Sequence, residues 1–564
     1  MKIKLKSTQV PSSLKKLEEV LLGVREIEDR SIFFDPPTPL DISLKALGLS
    51  AQSVQIAIKR LIKAKQSREQ VVVYGDYDAD GISATAIVWQ TLNQLGFKVM
   101  PFIPDRHKHG YGLSLVALQE VIDQHHPSLI LTVDNGIVAH AQIEWLKSQQ
   151  IDVILTDHHQ LELDKKGLAI TPSATAVVHT TSLCGATVAW VLMRELVTSL
   201  KEDVKIVTKQ FDLCGVATIA DQVPLQTVNR SFAVFGLEAL KQTRRPGLIK
   251  LFEQAGIKAD QINERTVGYT ISPRINAMGR MAHGLEALRL LYTSNQAQAG
   301  ELAQVLESVN QDRRDLTLDL MALAVGMAED QVQEHMIVVH HPDFHEGVIG
   351  LVAGRLVEKF AKPAVVIGTA LSHGGQSHVA KASARSIEGV HITKFLRQIK
   401  SDLLSLGGHP LAAGFSLETA KIKDVTVKLQ TLAREKISAK LLEQSLPVEC
   451  QLPHNLLTIK TARLVESFRP FGQGNPQPLF LLKDLRVVNV KQMGQDSQHL
   501  KLMVRPALAT SPSAQLFQVL MWGNGFRAEK LQTNMTVNLV CALEINQWRN
   551  QTSLQLVAQQ IGFD

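Results

Sequence analysis

Three aspartates stand at alternate positions, Asp76, Asp78 and Asp80, in the stretch VVVYGDYDADGIS that runs from Val71 to Ser83. Carboxylates this close repel one another unless a cation holds them, so the spacing asks for a positive partner. Further along come Asp134 in TVDNG, Asp157-His158-His159 in TDHH, and Asp221 in ATIADQVP. Together they offer more carboxylates and imidazoles than a buried sheet edge tolerates without metal. Mixed Asp and His ligation suits Mn²⁺ and also permits Mg²⁺, whereas structural zinc recruits thiolates. The set is large enough for two ions, and a two-ion site activates water and neutralises charge at a phosphoryl centre. Each motif also has a simpler reading. A lone D-x-D-x-D-G is more often a loop or a calcium turn, but the twelfth position from Asp76 is Ile87 and not the Glu of an EF-hand. Asp134 alone is a turn residue before Asn-Gly, and His158-His159 alone a surface pair. Their shared placement behind apolar runs makes them a site.

The elements that must position these groups can be read from the pattern between them. Val71–Tyr74 reads as a buried strand, preceded by a helix over Ser53–Lys65 and succeeded by a helix through Thr85–Leu95. A strand at Lys98–Ile103, a helix at Leu115–Gln124, a strand at Leu129–Val133, a helix near His140–Gln149 and a strand at Val153–Thr156 continue the alternation. Alternating strand and helix predict a parallel α/β sheet covered on both faces, with the polar groups at the carboxyl ends of its strands, where such sheets bind ligands. A mostly helical stretch comes next, including QAGELAQVLESVNQDRRDLTLDLMALAVGMA, which predicts a long connecting helix. Met336–His340 opens a second α/β unit, and from about Leu446 short strands predict a small barrel of the OB-fold type. The expected division begins with an N-terminal arm over 1–45, interrupted by Pro36, Pro37 and Pro39 and packed on the neighbouring domain. Then come the parallel-sheet domain over 46–228, the helical connector over 229–330, the second α/β domain over 331–440 and the barrel over 441–564.

Composition bounds the rest. At 564 residues the chain is too long for one core. With 45% hydrophobic and 20% charged residues it reads as an ordinary globular protein. No apolar run of the length of a membrane span and no export signal is visible, and the four cysteines are scattered, so a reducing cytoplasm and no membrane are expected. A net charge of +6 is compatible with a polyanionic partner without requiring one. Over 441–564 there are 11 Lys and Arg against 8 Asp and Glu, too mild an excess to argue nucleic-acid binding by itself.

GDYDADG, TVDNG, TDHH and ATIADQVP resemble, in order, the four motifs of the DHH phosphoesterase superfamily. SPRINAMGRM, FHEGVIGLVAGRL, KASARSIEG, GGHPLAAGF and FRPFGQGNPQPLF are similar to the RecJ family of bacterial single-strand-specific 5′→3′ DNA exonucleases. The resemblance runs from about Val71 into the barrel. It implies metal contacts from Asp78, Asp80, Asp134, His158 and Asp221, with Asp76 and His159 adjacent and Asp134 bridging. Asp157 would orient a neighbouring histidine. Asp76, Asp157 and His159 are thus the expected catalytic groups beside the ligands, and the cofactors two Mn²⁺ or Mg²⁺ ions. After TDHH the chain runs QLELDKKG without the Pro-Gly frequent in the family, and VVHT stands for a usual Val-Asn-Pro.

The second α/β unit resembles the DHH-associated substrate domain. Gly407 and Gly408 of GGHP would let backbone N–H groups approach an oxyanion, with His409 as a further donor, against the plainer reading of a glycine turn before a helix. Arg274, Asn276 and Arg280, with Ser383 and Arg385, are candidate phosphate holders, Arg106 is a candidate for a terminal 5′-phosphate, and His345 is either a ligand contact or a helix N-terminus. Each arginine is equally compatible with a surface ion pair. On the barrel Trp522 and Trp548, with Lys501 and Arg505, are available to a single strand, and core packing is the alternative for both rings.

The expected function is metal-dependent 5′→3′ hydrolysis of single-stranded DNA in repair and recombination. The expected form is a monomer, with a single-strand-binding protein and a helicase as candidate partners. Two alternatives stand beside it: a phosphodiesterase for short oligonucleotides or cyclic dinucleotides, and a catalytically inert scaffold. The barrel disfavours the first and the full set of carboxylates and histidines the second. No phosphate-binding loop of the G-x-x-x-x-G-K-[S/T] kind occurs.

Overall fold

The structure, a computed structural model, describes residues 2–110, 112–164, 166–370, 376–507, 515–548 and 551–563; the side chain of Trp548, one of the candidate stacking rings, lies outside the described residues. The chain divides into two compact units. One comprises Met1–Pro37, Pro224–Arg230 and Gln444–Asp564; the other comprises Thr38–Val223 and Ser231–Glu443.

The larger unit is built on a five-stranded, all-parallel sheet in the order Lys98–Phe102, Gln70–Tyr74, Leu129–Val133, Asp152–Asp157, Ala176–His179. Val71, Val72, Val73 and Tyr74 are fully buried, as a strand covered on both faces requires. The order reverses between Gln70–Tyr74 and Leu129–Val133. Successive connections leave that point in opposite directions, and the crevice they open is where a doubly wound sheet takes its ligand. Asp76 comes after the first of these strands and Asp134 after the second. The connector contains a 34-residue helix, Gln296–Glu329, about 50 Å long at 1.5 Å per residue. A second sheet is mixed: Ser405–Gly408, Ala412–Glu418, Gln376–Arg385 and Ala364–Ala370 pair antiparallel in turn, and Ile337–His341 adds in parallel. GGHP therefore ends a β-hairpin, not a turn before a helix. Gly408, at φ +143°, has Ala412 O where a Cβ would sit, so the hairpin cannot close on a larger residue.

In the smaller unit the strands Phe480–Met493, His499–Pro506, Phe517–Met521, Gln551–Phe563 and Thr536–Trp548 form a sheet that closes by pairing the first with the last, giving the five-stranded barrel expected of an OB-fold. The N-terminal segment differs from the arm expected over 1–45. Leu17, Val20, Leu21 and Phe33 bury in one core with Phe468, Phe480 and the barrel interior, so Met1–Pro37 belongs to this unit. The rest of that segment, from Thr38, joins the larger unit instead, where Arg194 Nη1 donates to the carbonyls of Pro39 at 2.8 Å and Ile42 at 2.7 Å. Among the described residues no helix is long and apolar enough to cross a membrane.

Candidate metal centre

The acidic groups after Gln70–Tyr74, Leu129–Val133 and Asp152–Asp157 converge because each sits where a buried strand gives way to a loop or helix start, whereas Asp221, expected at a strand end as well, comes in from the end of a helix. Asp78 caps the helix Ala79–Gln94, its Oδ1 accepting from the N–H groups of Asp80 at 2.9 Å and Gly81 at 3.0 Å. Asp80, in the first turn of that helix, turns inward and is held at the start of another, Gly185–Ser199. Its Oδ2 accepts from Gly185 N at 2.7 Å and its Oδ1 from Ala186 N at 2.8 Å. Orphan N–H groups at a helix start are natural partners for a carboxylate. Asp134 takes the left-handed conformation, φ +61°, which is uncommon outside glycine and marks a position fixed by its surroundings. Its Oδ1 is buried and accepts no hydrogen bond, although His158 Nε2 lies 3.1 Å away. Asp221 ends the helix Phe211–Ala220, its Oδ2 3.7 Å from His158 Nδ1.

Three groups of potential ligand atoms lie within 4.8 Å of one another: Asp76, Asp78 and Asp134; Asp80, His158 and Asp221; and Asp134, His158 and His159. Asp76, expected beside the ligands, thus stands among the potential ligand atoms. Asp157 does not, because the protein uses both its oxygens. Oδ1 accepts from His158 N at 2.7 Å, His159 N at 3.1 Å and the His159 ring Nδ1 at 2.7 Å, and Oδ2 accepts from Ile137 N at 2.9 Å. Its contact with the His159 ring is of the kind that fixes a histidine's orientation beside a metal site.

Electrostatics separates these roles. Burial, then the charge of Asp78, pushes Asp76 up to about 7 and Asp80 up to about 6. Burial, then Asp80 and Asp78, pushes Asp221 up to about 9. Burial, then the carboxylates of Asp80, Asp78, Asp76 and Asp221, raises Asp134 well above the ordinary range. Burial would also raise Asp157, but the His159 hydrogen bond and charge and the backbone donors hold it down to about 2. Burial, then the His159 charge, takes His158 down to about 3, so it is a neutral imidazole with a lone pair to give. Burial opposes charge on His159 too, yet Asp157 carries it up to about 9. A buried oxygen without a donor beside a neutral imidazole and several carboxylates that resist ionising together is a donor set suited to hard divalent cations.

These shifts fix the sign of the pH dependence. Asp76, Asp80 and Asp221 hold protons in the folded state above the unfolded value of about 4, so the metal-free fold binds more protons than the unfolded chain from there up to about 9. Metal-free stability should fall as pH rises through that window, and Mn²⁺ should bind more tightly because it displaces the same protons. Calorimetric titration at about pH 6 and about pH 8, in buffers of different ionisation enthalpy, should show proton release and an affinity at least about tenfold higher at the upper pH. Affinity independent of pH would contradict the assignment.

The second sheet reaches this site through its hairpin: the His409 ring stacks on His159, centroids 5.5 Å apart and planes 29° apart. Arg106 lies over the Tyr77 ring at 5.5 Å. Burial, then the charges of Arg106 and Arg385, pushes Arg280 down to about 10. Arg385 Nη1 donates to Ser383 Oγ at 3.0 Å, and both abut Gly350, where a Cβ would lie 2.9 Å from Arg385 Nη2 and 3.1 Å from Ser383 Oγ. Among the described residues Arg106, Arg280 and Arg385 have no carboxylate partner within ion-pair distance. His345 Nδ1 accepts from Gly347 N at 3.1 Å, and Gly347 packs against the Arg280 carbonyl.

Other candidates are engaged differently. Asn276 Oδ1 accepts from Ala79 N at 2.7 Å, bracing the aspartate loop. Arg274 pairs with Glu307 at 2.5 Å and donates to Thr270 O at 2.7 Å. Gly407 and Gly408 are exposed on the hairpin, and Trp522 is 53% exposed on the barrel, its ring edge-on to His499 at 4.9 Å. Gly185 and Ala186, the partners of Asp80, and Gly279, packed on the Tyr77 carbonyl, were not foreseen.

A parallel sheet with acids and an Asp-His-His at its carboxyl edge, coupled to a second α/β lobe, defines a DHH-type protein. Family models agree: residues 70–218 match the DHH family N-terminal domain, 333–435 the DHHA1 domain and 448–560 the RecJ OB domain. The single-stranded-DNA-specific exonuclease RecJ of Haemophilus influenzae is 31% identical over 551 residues, covering 93% of both chains. That of Bacillus subtilis is 33% identical over 520 residues, 89% of this chain, which spans 62% of that relative's length. The crystal structure of Thermus thermophilus RecJ in complex with Mn²⁺ superposes with TM-score 0.81 at 27% identity, covering 100% of this chain and 79% of that one. A second, with Mg²⁺, gives TM-score 0.75 at 26% identity, covering 100% and 77%. The chain belongs to the RecJ family.

Proposed function

We propose that this chain hydrolyses single-stranded DNA stepwise from its 5′ end, using two Mn²⁺ or Mg²⁺ ions held by Asp76, Asp78, Asp80, Asp134, His158 and Asp221. The observation that carries the reading is the buried, unpartnered Oδ1 of Asp134 among potential ligand atoms drawn from three separate strand ends and the end of one helix. Bound there, the ions supply an acidified water and neutralise charge on the phosphoryl oxygens. The rest is the work of the protein's own groups. His158 stays neutral and so offers a lone pair, while Asp157 keeps His159 charged, favouring negative charge on a phosphoryl oxygen beside it. The barrel, with Trp522 and Phe526 exposed and Arg527 5.4 Å from the Phe526 ring, supplies stacking and charge suited to a strand longer than a dinucleotide.

Polarity needs a pocket for one kind of strand end, since two ions stabilise attack from either side. Arg106, Arg280, Ser383 and Arg385 are its donors in this reading, and a 5′-phosphate offers them more charge than a 5′-hydroxyl. Losing one desolvated charge-assisted contact costs about 1.5–3 kcal/mol, roughly ten- to hundredfold. Arg280→Ala and removal of the 5′-phosphate should each lower kcat/KM by about that factor, and the two losses should not add if they remove one contact. Equal cutting of 5′-hydroxyl and 5′-phosphate strands would sink the pocket.

A further inference from the structure

Val267–Ile271 forms a π-helical turn that runs directly into the helix Ser272–Met281. Single-turn π insertions are rare and occur frequently at functional sites. The residue presented here is Tyr269, 84% exposed, the most of any large hydrophobic residue among those described. Nothing in the packing accounts for a large ring left in water. It stands in an open depression of about 370 Å³ lined by Asn263, Arg265, Thr266, Tyr269 and Thr270. That lining has one aromatic face, one guanidinium and otherwise amide and hydroxyl groups. A protein hot spot would offer an apolar pocket instead. Ring and guanidinium together fit a nucleotide, with its base on the ring and its phosphate on the cation.

Two connections join the turn to the metal centre. On one side Gly268 faces the helix that ends on Asp221: a Cβ there would lie 3.7 Å from Ile219 Cγ2. On the other, the Thr270 carbonyl is gripped by Arg274 Nη1 at 2.7 Å, and Arg274 is fixed in turn by Glu307 on the long connector helix. Asn276, two residues beyond, braces the aspartate loop at Ala79. Arg274, expected from sequence to hold a phosphate, is thus a positioning residue for the turn.

We propose that Tyr269, with Arg265, is a stacking platform for an unpaired nucleotide of the strand, on the 3′ side of the terminal one held by Arg106, Arg280, Ser383 and Arg385. This rests on reading the chain as a single-strand hydrolase. A base already stacked within a duplex has no face to offer such a ring, so the platform favours single strands.

The test uses the full chain with Ca²⁺ supplied in place of the catalytic ion, and 5′-phosphorylated strands carrying 2-aminopurine at successive positions. Stacking on Tyr269 should quench fluorescence at one internal position. Tyr269→Ala should abolish that quenching and raise Kd about tenfold, within the range of one lost base–aromatic stack, while Tyr269→Phe should preserve both. An alanine variant that binds and quenches as the parent does, or a phenylalanine variant that loses as much as alanine, overturns the platform. Because the readout is binding, a chain that stacks the strand at Tyr269 yet cuts nothing with Mn²⁺ overturns the hydrolase reading and leaves the platform standing.

Discussion

Asp134→Asn is expected to lower hydrolysis of single strands roughly a thousandfold, about 4 kcal/mol of transition-state stabilisation, while the protein stays folded. Asparagine is the informative replacement because Asp134 sits at φ +61°, a conformation that asparagine tolerates and alanine does not. The variant keeps the shape and removes the charge. What is lost is the buried oxygen that no donor satisfies and that lies among two groups of ligand atoms. A neutral amide cannot neutralise adjacent divalent cations as a carboxylate does. Burial and four neighbouring carboxylates destabilise the Asp134 charge, so metal-free Asp134→Asn should unfold at a higher temperature than the parent near neutral pH. Activity within tenfold of the parent at saturating metal would remove Asp134 from its central role.

Gly185→Ala should cost about a hundredfold in kcat without unfolding the chain. Gly185 opens the helix Gly185–Ser199, where alanine is by propensity the better residue by about 0.5–1 kcal/mol. Its Cβ, however, would lie 2.4 Å from Asp134 Oδ1 and 2.5 Å from Asp134 Cβ. Asp134 must then move by the order of an ångström, and displacement on that scale commonly costs about 10² in rate. The same residue donates its N–H to Asp80, so the helix start and both carboxylates shift together. Circular dichroism with steady-state kinetics distinguishes this from simple destabilisation: an intact melting transition with depressed kcat is expected. Full activity would mean that the gap between the helix and Asp134 is not needed.

The strand ends were legible because their information is local. A buried β-branched run with acids behind it needs only a few residues to read, and the elements arrived in the order expected. The partners of those acids were not legible, because they come from far along the chain. Asp80 is held by N–H groups 105 and 106 residues away, and Ala79 by an asparagine 197 residues away. Backbone donors carry no side-chain signature, so LCGATVAW gave no sign that its glycine faces Asp134. Arg274 and Arg280 are both arginines in one motif, and only packing separates them: Glu307 on the long helix captures the first. At the turn Val267–Ile271 the Thr270 carbonyl accepts from Arg274, which Glu307 holds from 33 residues further along, and no periodicity reveals that pair. The N-terminal segment was misplaced because its amphipathic helix, Leu14–Gly23, can bury the same face against any apolar surface; the core it joins is built from residues more than 400 positions later.

The central claim is that this cluster cuts single strands from the 5′ end and needs a divalent cation. It is tested most directly by incubating the full chain with a single strand labelled at the 3′ end, blocked in turn at each end, with Mn²⁺, Mg²⁺ or chelator, and monitoring product length. Progressive shortening from the 5′ end with either ion, stopped by a 5′ block and by chelator and indifferent to a 3′ block, is the predicted result. Cutting that survives chelation, or shortening from the 3′ end, would contradict the account.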